Sequence, residues 1–99
     1  MSKTLSIVIP AYNEARTIRH ILDKVRLVSL PQQMSKEVII VNDCSTDDTR
    51  GAIEAYMTEH PDLGLQYREH QFNQGKGSAL HTGISEATGD YIIIQDADL

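Results

Sequence analysis

Ser6-Ile7-Val8-Ile9-Pro10-Ala11-Tyr12-Asn13-Glu14 decides the fold of this chain. Ile7-Val8-Ile9 is a β-branched run without alternation, so it reads as a strand buried on both faces, and Pro10 ends it. Asn13 is a residue type that caps helices. After it, Ile18, Ile21, Leu22, Val25 and Val28 recur at helical spacing and give one apolar face. A buried strand running directly into an amphipathic helix is the opening of an α/β sheet.

The pattern repeats outward from there. Pro31 to Ser35 is a loop, and Val38-Ile39-Ile40-Val41 is a second buried strand that ends in Asn42-Asp43. Ser45 or Thr46 is expected to cap a second helix. Asp47 and Asp48 suit its N-terminal dipole, Ala52, Ile53, Tyr56 and Met57 form its apolar face, and Pro61 follows its end. Leu65 and Tyr67 alternate with Gln66 and Arg68, the mark of a half-exposed edge strand. Asn73 to Gly77 is a turn. Ala79, Leu80, Gly83, Ile84 and Ala87 mark a third helix, with Gly89 as its expected C-terminal cap, and Tyr91 to Ile94 is a last apolar strand leading to Gln95-Asp96-Ala97-Asp98.

The order β-α-β-α-β-α-β with continuous apolar strands implies a Rossmann-like parallel sheet with helices on both faces. Right-handed crossovers and a third strand at the edge favour the strand order 3-2-1-4. Ligands of such sheets bind outside the carboxyl ends of the strands, at the switch point between strands 1 and 4. Three polar segments fall at that rim: Pro10–Glu14, Asn42–Ser45 and Asp96–Asp98.

Composition narrows the function classes. The chain has 99 residues, so it holds one domain at most, and its 40% hydrophobic residues suffice for one modest core. A net charge of −5 argues against a nucleic-acid partner, and the absence of Trp with a single Phe argues against a base-stacking platform. The lone Cys44 excludes a disulfide framework and a cysteine-rich zinc site, and it fits a reducing compartment. No targeting segment is visible, and every apolar run is far shorter than the roughly 20 residues of a membrane helix. The expected location is cytoplasmic, at most peripheral to the cytoplasmic face of a membrane. The chain stops at Leu99, directly behind an acidic motif, which reads as a cut.

Asp96-Ala97-Asp98 is the sharpest motif. If extended backbone continues, both carboxylates point to one side and repel unless a cation lies between them. Oxygen ligands select a hard ion, Mg²⁺ or Mn²⁺, which would let an acidic rim hold a diphosphate. The plainer alternative is a solvated acidic turn. Asp43 can accept a hydrogen bond from a uracil imide or a guanine amino group, or it can simply close an Asx turn. Tyr12 can stack on a base and Glu14 can bind a ribose hydroxyl. Gly75-Lys76-Gly77 fails both the phosphate-loop and the dinucleotide spacing, yet its amides and Lys76 at a helix start can receive a phosphate or sugar oxygen. Cys44 reads as a small spacer. His20, His60, His70 and His81 have no metal-ligand spacing and read as surface or structural residues.

These blocks together resemble the N-terminal half of a family 2 glycosyltransferase of the GT-A fold. Ser6–Glu14, Val41–Asp47, Asn73–Leu80 and Ala87–Asp90 leading to Asp96–Leu99 carry the resemblance. The last two are most similar to the dolichyl- and polyprenyl-phosphate mannosyl- or glucosyltransferase branch. The resemblance implies that residues 1–99 are the nucleotide-sugar-binding part of the domain, with the acceptor half and any catalytic base absent. It implies that Pro10, Ala11, Tyr12 and Glu14 line the nucleotide pocket, that Asp43 contacts the base, and that Lys76 lies near the ribose or diphosphate. Asp96 and Asp98 would bind the metal and, through it, the donor diphosphate. The implied reaction is metal-dependent transfer of a hexose, with inversion, from a UDP- or GDP-sugar to a lipid-phosphate or saccharide acceptor. The family usually has Asp and Gly where Asn42 and Cys44 stand, which puts a supporting contact and the turn conformation in question. A non-catalytic nucleotide-binding or interaction module of the same class is the competing reading. The 99-residue piece alone is expected to be inactive and to self-associate through an exposed sheet edge.

Overall fold

The computed structural model describes residues 2–31 and 33–97. The elements follow in the order β1 (Lys3–Ala11), α1 (Ile18–Leu27), β2 (Met34–Asn42), α2 (Thr49–Glu59), a 3₁₀ turn (Pro61–Leu63), β3 (Gln66–Glu69), α3 (Lys76–Glu86) and β4 (Tyr91–Ile94). The four strands form one sheet in the order β3-β2-β1-β4, and every pairing is parallel, as the strand pattern predicts. Ile7 lies beside Val38 and Ile93, and Ile40 beside Tyr67.

Strand alternation divides the core in two. Ile7, Ile9, Val38 and Ile40 pack with Ile18, Leu22, Val25, Ile53 and Tyr56 from α1 and α2. Ile39 and Val41 face Ala79 of α3 on the other side. Val8 shares that second face, and a Cβ on Gly83 would sit 2.3 Å from its Cγ1, so the missing side chain lets α3 lie close to the sheet. Tyr56 is fully buried, and its hydroxyl donates to Asp23 Oδ1 at 2.8 Å while accepting from Arg26 Nε at 2.9 Å.

A polar latch holds the amino ends of the strands. Buried Ser6 donates its hydroxyl to Glu37 Oε1 at 2.6 Å, and Thr88 adds its amide at 2.8 Å and its hydroxyl at 2.7 Å to the same carboxylate. Those donors hold the Glu37 carboxyl down at about 2.

Several local expectations are corrected. Gly89 does not cap α3, which ends at Glu86 with Ala87 in the cap position. Instead the chain at Gly89 presses on β1, where a Cβ would lie 2.4 Å from Ser6 Oγ and 2.8 Å from the Thr4 carbonyl. Asn13 does not cap α1, and neither Ser45 nor Thr46 caps α2: the helices begin after Thr17 and Asp48. The side chains of the two loops bond across to each other instead. The apolar β4 is not buried, since Tyr91 to Ile94 are each 43–54% exposed. The reason is coverage: α3 packs over β1 and β2, which leaves β4 with β1 as its strand neighbour among the described residues. Val28 and Ile84, expected on apolar helix faces, are exposed as well. Among the described residues no helix is long and apolar enough to cross a membrane.

Candidate functional site

The carboxyl ends of β1, β2 and β4 and the loop before α3 meet in one cleft of about 380 Å³. Its walls include Pro10, Ala11, Tyr12, Glu14, Asp43, Lys76 and Asp96. All seven residues that sequence reasoning placed at a nucleotide pocket are therefore brought together. Asp98, the second expected metal ligand, lies outside the described residues. Asn73, Gly75, Ala79 and Ala97 complete the lining, and of these the sequence points only to Gly75, through its amide.

The loops after β1 and β2 are bound into one unit. Asn13 takes a left-handed φ of 54°, which aims its side chain at the second loop. Its Oδ1 accepts from the amides of Thr46 at 2.8 Å and Asp47 at 3.3 Å, and its own amide donates to Ser45 Oγ at 2.9 Å. The Glu14 amide donates to Thr49 Oγ1 at 2.9 Å, and the Ala15 amide to Asp47 Oδ2 at 3.2 Å. Asp47 also accepts from the Thr49 amide at 3.0 Å, so it ends the loop at the start of α2. Tyr12, 43% exposed, and half-buried Glu14 project from this framework into the cleft.

The two departures from the family pattern have local accounts. Asn42 donates Nδ2 to the Tyr67 hydroxyl at 3.0 Å, a bond that an ionised aspartate could not make. Its Oδ1 accepts from Ser45 Oγ at 2.6 Å. Cys44 has a φ of 55°, the left-handed region where glycine is free and a side chain is strained.

Asp43 is 2% exposed. Its Oδ1 accepts from the Gln74 amide at 2.9 Å and from His70 Nδ1 at 2.8 Å, and its Oδ2 accepts from the Gly75 amide at 2.8 Å. Burial alone would push its pKa up, but the bonds from Gln74, His70 and Gly75 outweigh it and hold the carboxyl below the usual range. These bonds are not those of an Asx turn, and they engage both carboxylate oxygens with the protein. Asp43 anchors the loop that leads into α3, and the Gly75 amide, expected to be open to a phosphate, is directed at Asp43. His70, read from sequence as surface or structural, is 9% exposed at its side chain and touches a cleft residue. No local sequence signal marks this pairing: it follows from the observed register, in which Glu69 pairs with Asn42 and sets His70 beside Asp43.

At the far wall, Gln95 continues the ladder, donating its amide to the Val8 carbonyl at 2.9 Å. Ala97 is 3% exposed and fixes the segment to the core. The Thr17 hydroxyl lies 2.8 Å from the Ala97 carbonyl and 3.1 Å from Glu14 Oε2, so its proton ties this segment to α1. Asp96 remains outside, 54% exposed at its side chain, and accepts from Lys76 Nζ at 2.6 Å. Its carboxylate has the chemistry of a ligand for a hard cation. Among the described residues no group of three or more His, Cys, Asp or Glu could hold a metal ion, so other oxygens would have to complete the sphere around Asp96.

A family model described as glycosyl transferase family 2 matches residues 6–99. The chain belongs to this family. Among curated glycosyltransferases, it is 35% identical over 98 residues to the dolichyl-phosphate beta-glucosyltransferase ALG5C of Trichomonas vaginalis, a match that takes in 94% of this chain and 28% of that protein. Among solved structures, it superposes on the mannosyltransferase PcManGT of Pyrobaculum calidifontis, in complex with GDP-Man and Mn²⁺, with a TM-score of 0.89 and 35% identity over 99% of this chain and 28% of that one. It is also similar to S. aureus TarS in complex with UDP-GlcNAc, with a TM-score of 0.83 and 28% identity over 99% of this chain and 27% of that one. The chain thus spans less than a third of these family 2 relatives. The parallel four-stranded sheet is the GT-A arrangement expected from the sequence.

Proposed function

We propose that residues 1–99 form the nucleotide-sugar-binding part of a glycosyltransferase that moves a hexose from a UDP- or GDP-sugar, with inversion, to a lipid-phosphate or saccharide acceptor. The observation that carries this reading is the convergence of Tyr12, Glu14, Asp43, Lys76 and Asp96 in one cleft at the switch point of the sheet. Tyr12 offers a ring to stack on the base, and Glu14 accepts from a ribose hydroxyl. Asp43 has three hydrogen bonds from the protein, against about four acceptor directions for a carboxylate, so one direction remains for a base N–H. Lys76 at the start of α3 supplies positive charge for the diphosphate.

Asp96 together with Asp98 would hold Mg²⁺ or Mn²⁺, the remaining ligands coming from donor oxygens. Such a cation, when bound, would supply positive charge against that of a leaving nucleoside diphosphate. Relatives named for GDP-Man, UDP-GlcNAc and dolichyl-phosphate chemistry support the donor and acceptor classes. A cytoplasmic location, peripheral to the membrane face, fits a lipid-phosphate acceptor.

Calorimetric titration of the chain with UDP- and GDP-sugars, with and without Mn²⁺, tests the reading. Cation-dependent binding of one of them is expected. Binding of neither would overturn it.

A further inference from the structure

His70 has a side chain that is 9% exposed and unused by the chemistry above, and its ring joins three elements. It follows β3, its amide donates to the Asn42 carbonyl at 2.9 Å, and both ring nitrogens are engaged. Nδ1 lies 2.8 Å from Asp43 Oδ1, and Nε2 lies 2.9 Å from Thr82 Oγ1 on α3. An ionised carboxylate only accepts, so Nδ1 carries the proton toward Asp43. In the neutral ring Nε2 then accepts from the Thr82 hydroxyl, and the ring is held from both sides.

We infer that His70 is a positioning residue for recognition of the nucleobase. Clamped by Thr82, it holds Oδ1 of Asp43 against the sheet and so fixes the plane of the carboxylate. Oδ2, which accepts from the Gly75 amide at 2.8 Å, belongs to a residue that lines the cleft and is thereby left in a set direction, with one acceptor direction to spare by carboxylate chemistry. A carboxylate held by the loop amides alone would move with that loop, and a base N–H would then meet a less well placed acceptor. The inference rests on the nucleotide reading above and adds the residue that makes Asp43 directional.

The test compares a nucleoside diphosphate with inorganic pyrophosphate, which has no base. Both are titrated with Mn²⁺ into wild type, His70→Ala, His70→Asn and Thr82→Val, with folding followed by circular dichroism. His70→Ala should weaken UDP or GDP, whichever the wild type binds, about tenfold, the size of one lost orienting hydrogen bond, and leave pyrophosphate unchanged. Asn places an amide near the position of Nδ1, so His70→Asn should recover most of that loss. Thr82→Val should give a smaller loss, again confined to the nucleoside.

Equal losses for pyrophosphate and nucleotide, or no loss in His70→Ala, would overturn the inference. If His70→Ala does not fold, unchanged nucleotide affinity in Thr82→Val overturns it instead. A wild type that binds pyrophosphate but no nucleoside diphosphate removes the nucleotide reading itself, a result separate from either.

Discussion

Lys76 Nζ lies 2.6 Å from Asp96 Oδ1, so the expected diphosphate residue and the expected metal ligand are bonded to each other. Both side chains are more than half exposed, and such a pair adds only about 0–1 kcal/mol to stability. Its consequence is competition, because a cation on Asp96 would share the carboxylate with the ammonium and be repelled by its charge. Lys76→Met should therefore bind Mn²⁺ alone more tightly and nucleoside diphosphate less tightly, with a nearly unchanged melting temperature. Paramagnetic resonance of free Mn²⁺ and calorimetry measure the two affinities. Parallel changes would refute the competition.

The Glu37 latch sets an acid limit on the fold. Its folded pKa of about 2 lies below the ordinary 4.5, so its stabilisation is complete above pH 4.5 and is lost as pH falls toward 2. Discounted for solvent, this is worth about 1–3 kcal/mol. Glu37→Gln should lower stability at neutral pH and flatten the pH dependence of urea unfolding in that window. Asp43 and Asp47 are depressed too, so some acid sensitivity should persist. An unchanged slope between pH 2 and 4.5 would contradict this account.

Gly83 is the contact point of α3 with the sheet. Gly83→Ala places a methyl 2.3 Å from Val8 Cγ1 and should cost about 1–3 kcal/mol through overpacking. Helix propensity alone predicts a gain of about 1 kcal/mol, so the sign of the change separates the two effects. Adding Val8→Ala should recover stability relative to the sum of the single changes, as a double-mutant cycle by urea unfolding would measure.

β4 presents Tyr91, Ile92, Ile93 and Ile94 to solvent. An exposed apolar edge strand is a template for pairing with another chain. The 99-residue chain should therefore self-associate with rising concentration in sedimentation velocity, and Ile92→Lys with Ile94→Lys should shift it to monomer. A wild type that stays monomeric at high concentration would overturn the expectation.

Much of the architecture was legible in short-range signals. Ile7–Ile9 and Val38–Val41 are runs that only a doubly covered parallel strand accommodates, and both are buried. The helical spacing named Ile18, Ile21, Leu22 and Val25 of the buried face of α1 correctly and missed only at Val28, which lies past the helix end and is exposed. Tyr91–Ile94 shows the limit. Its composition equals that of a core strand, but whether it is covered depends on where α3 lies, and no local pattern carries that.

The sequence by itself determined the alternation of strands and helices, the parallel order and the rim that holds Pro10–Glu14, Asp43 and Asp96, because hydrophobic period and chain connectivity can be read along the chain. The tertiary structure alone decided the pairings across that rim. Asn13 bonds to the loop after β2, rather than to its own helix, because two strands lie side by side. Asp43 meets His70 and Gly75 for the same reason, across 27 and 32 residues of chain. A polar side chain bonds to whatever donor the sheet register sets beside it, and register is a property of the assembled sheet.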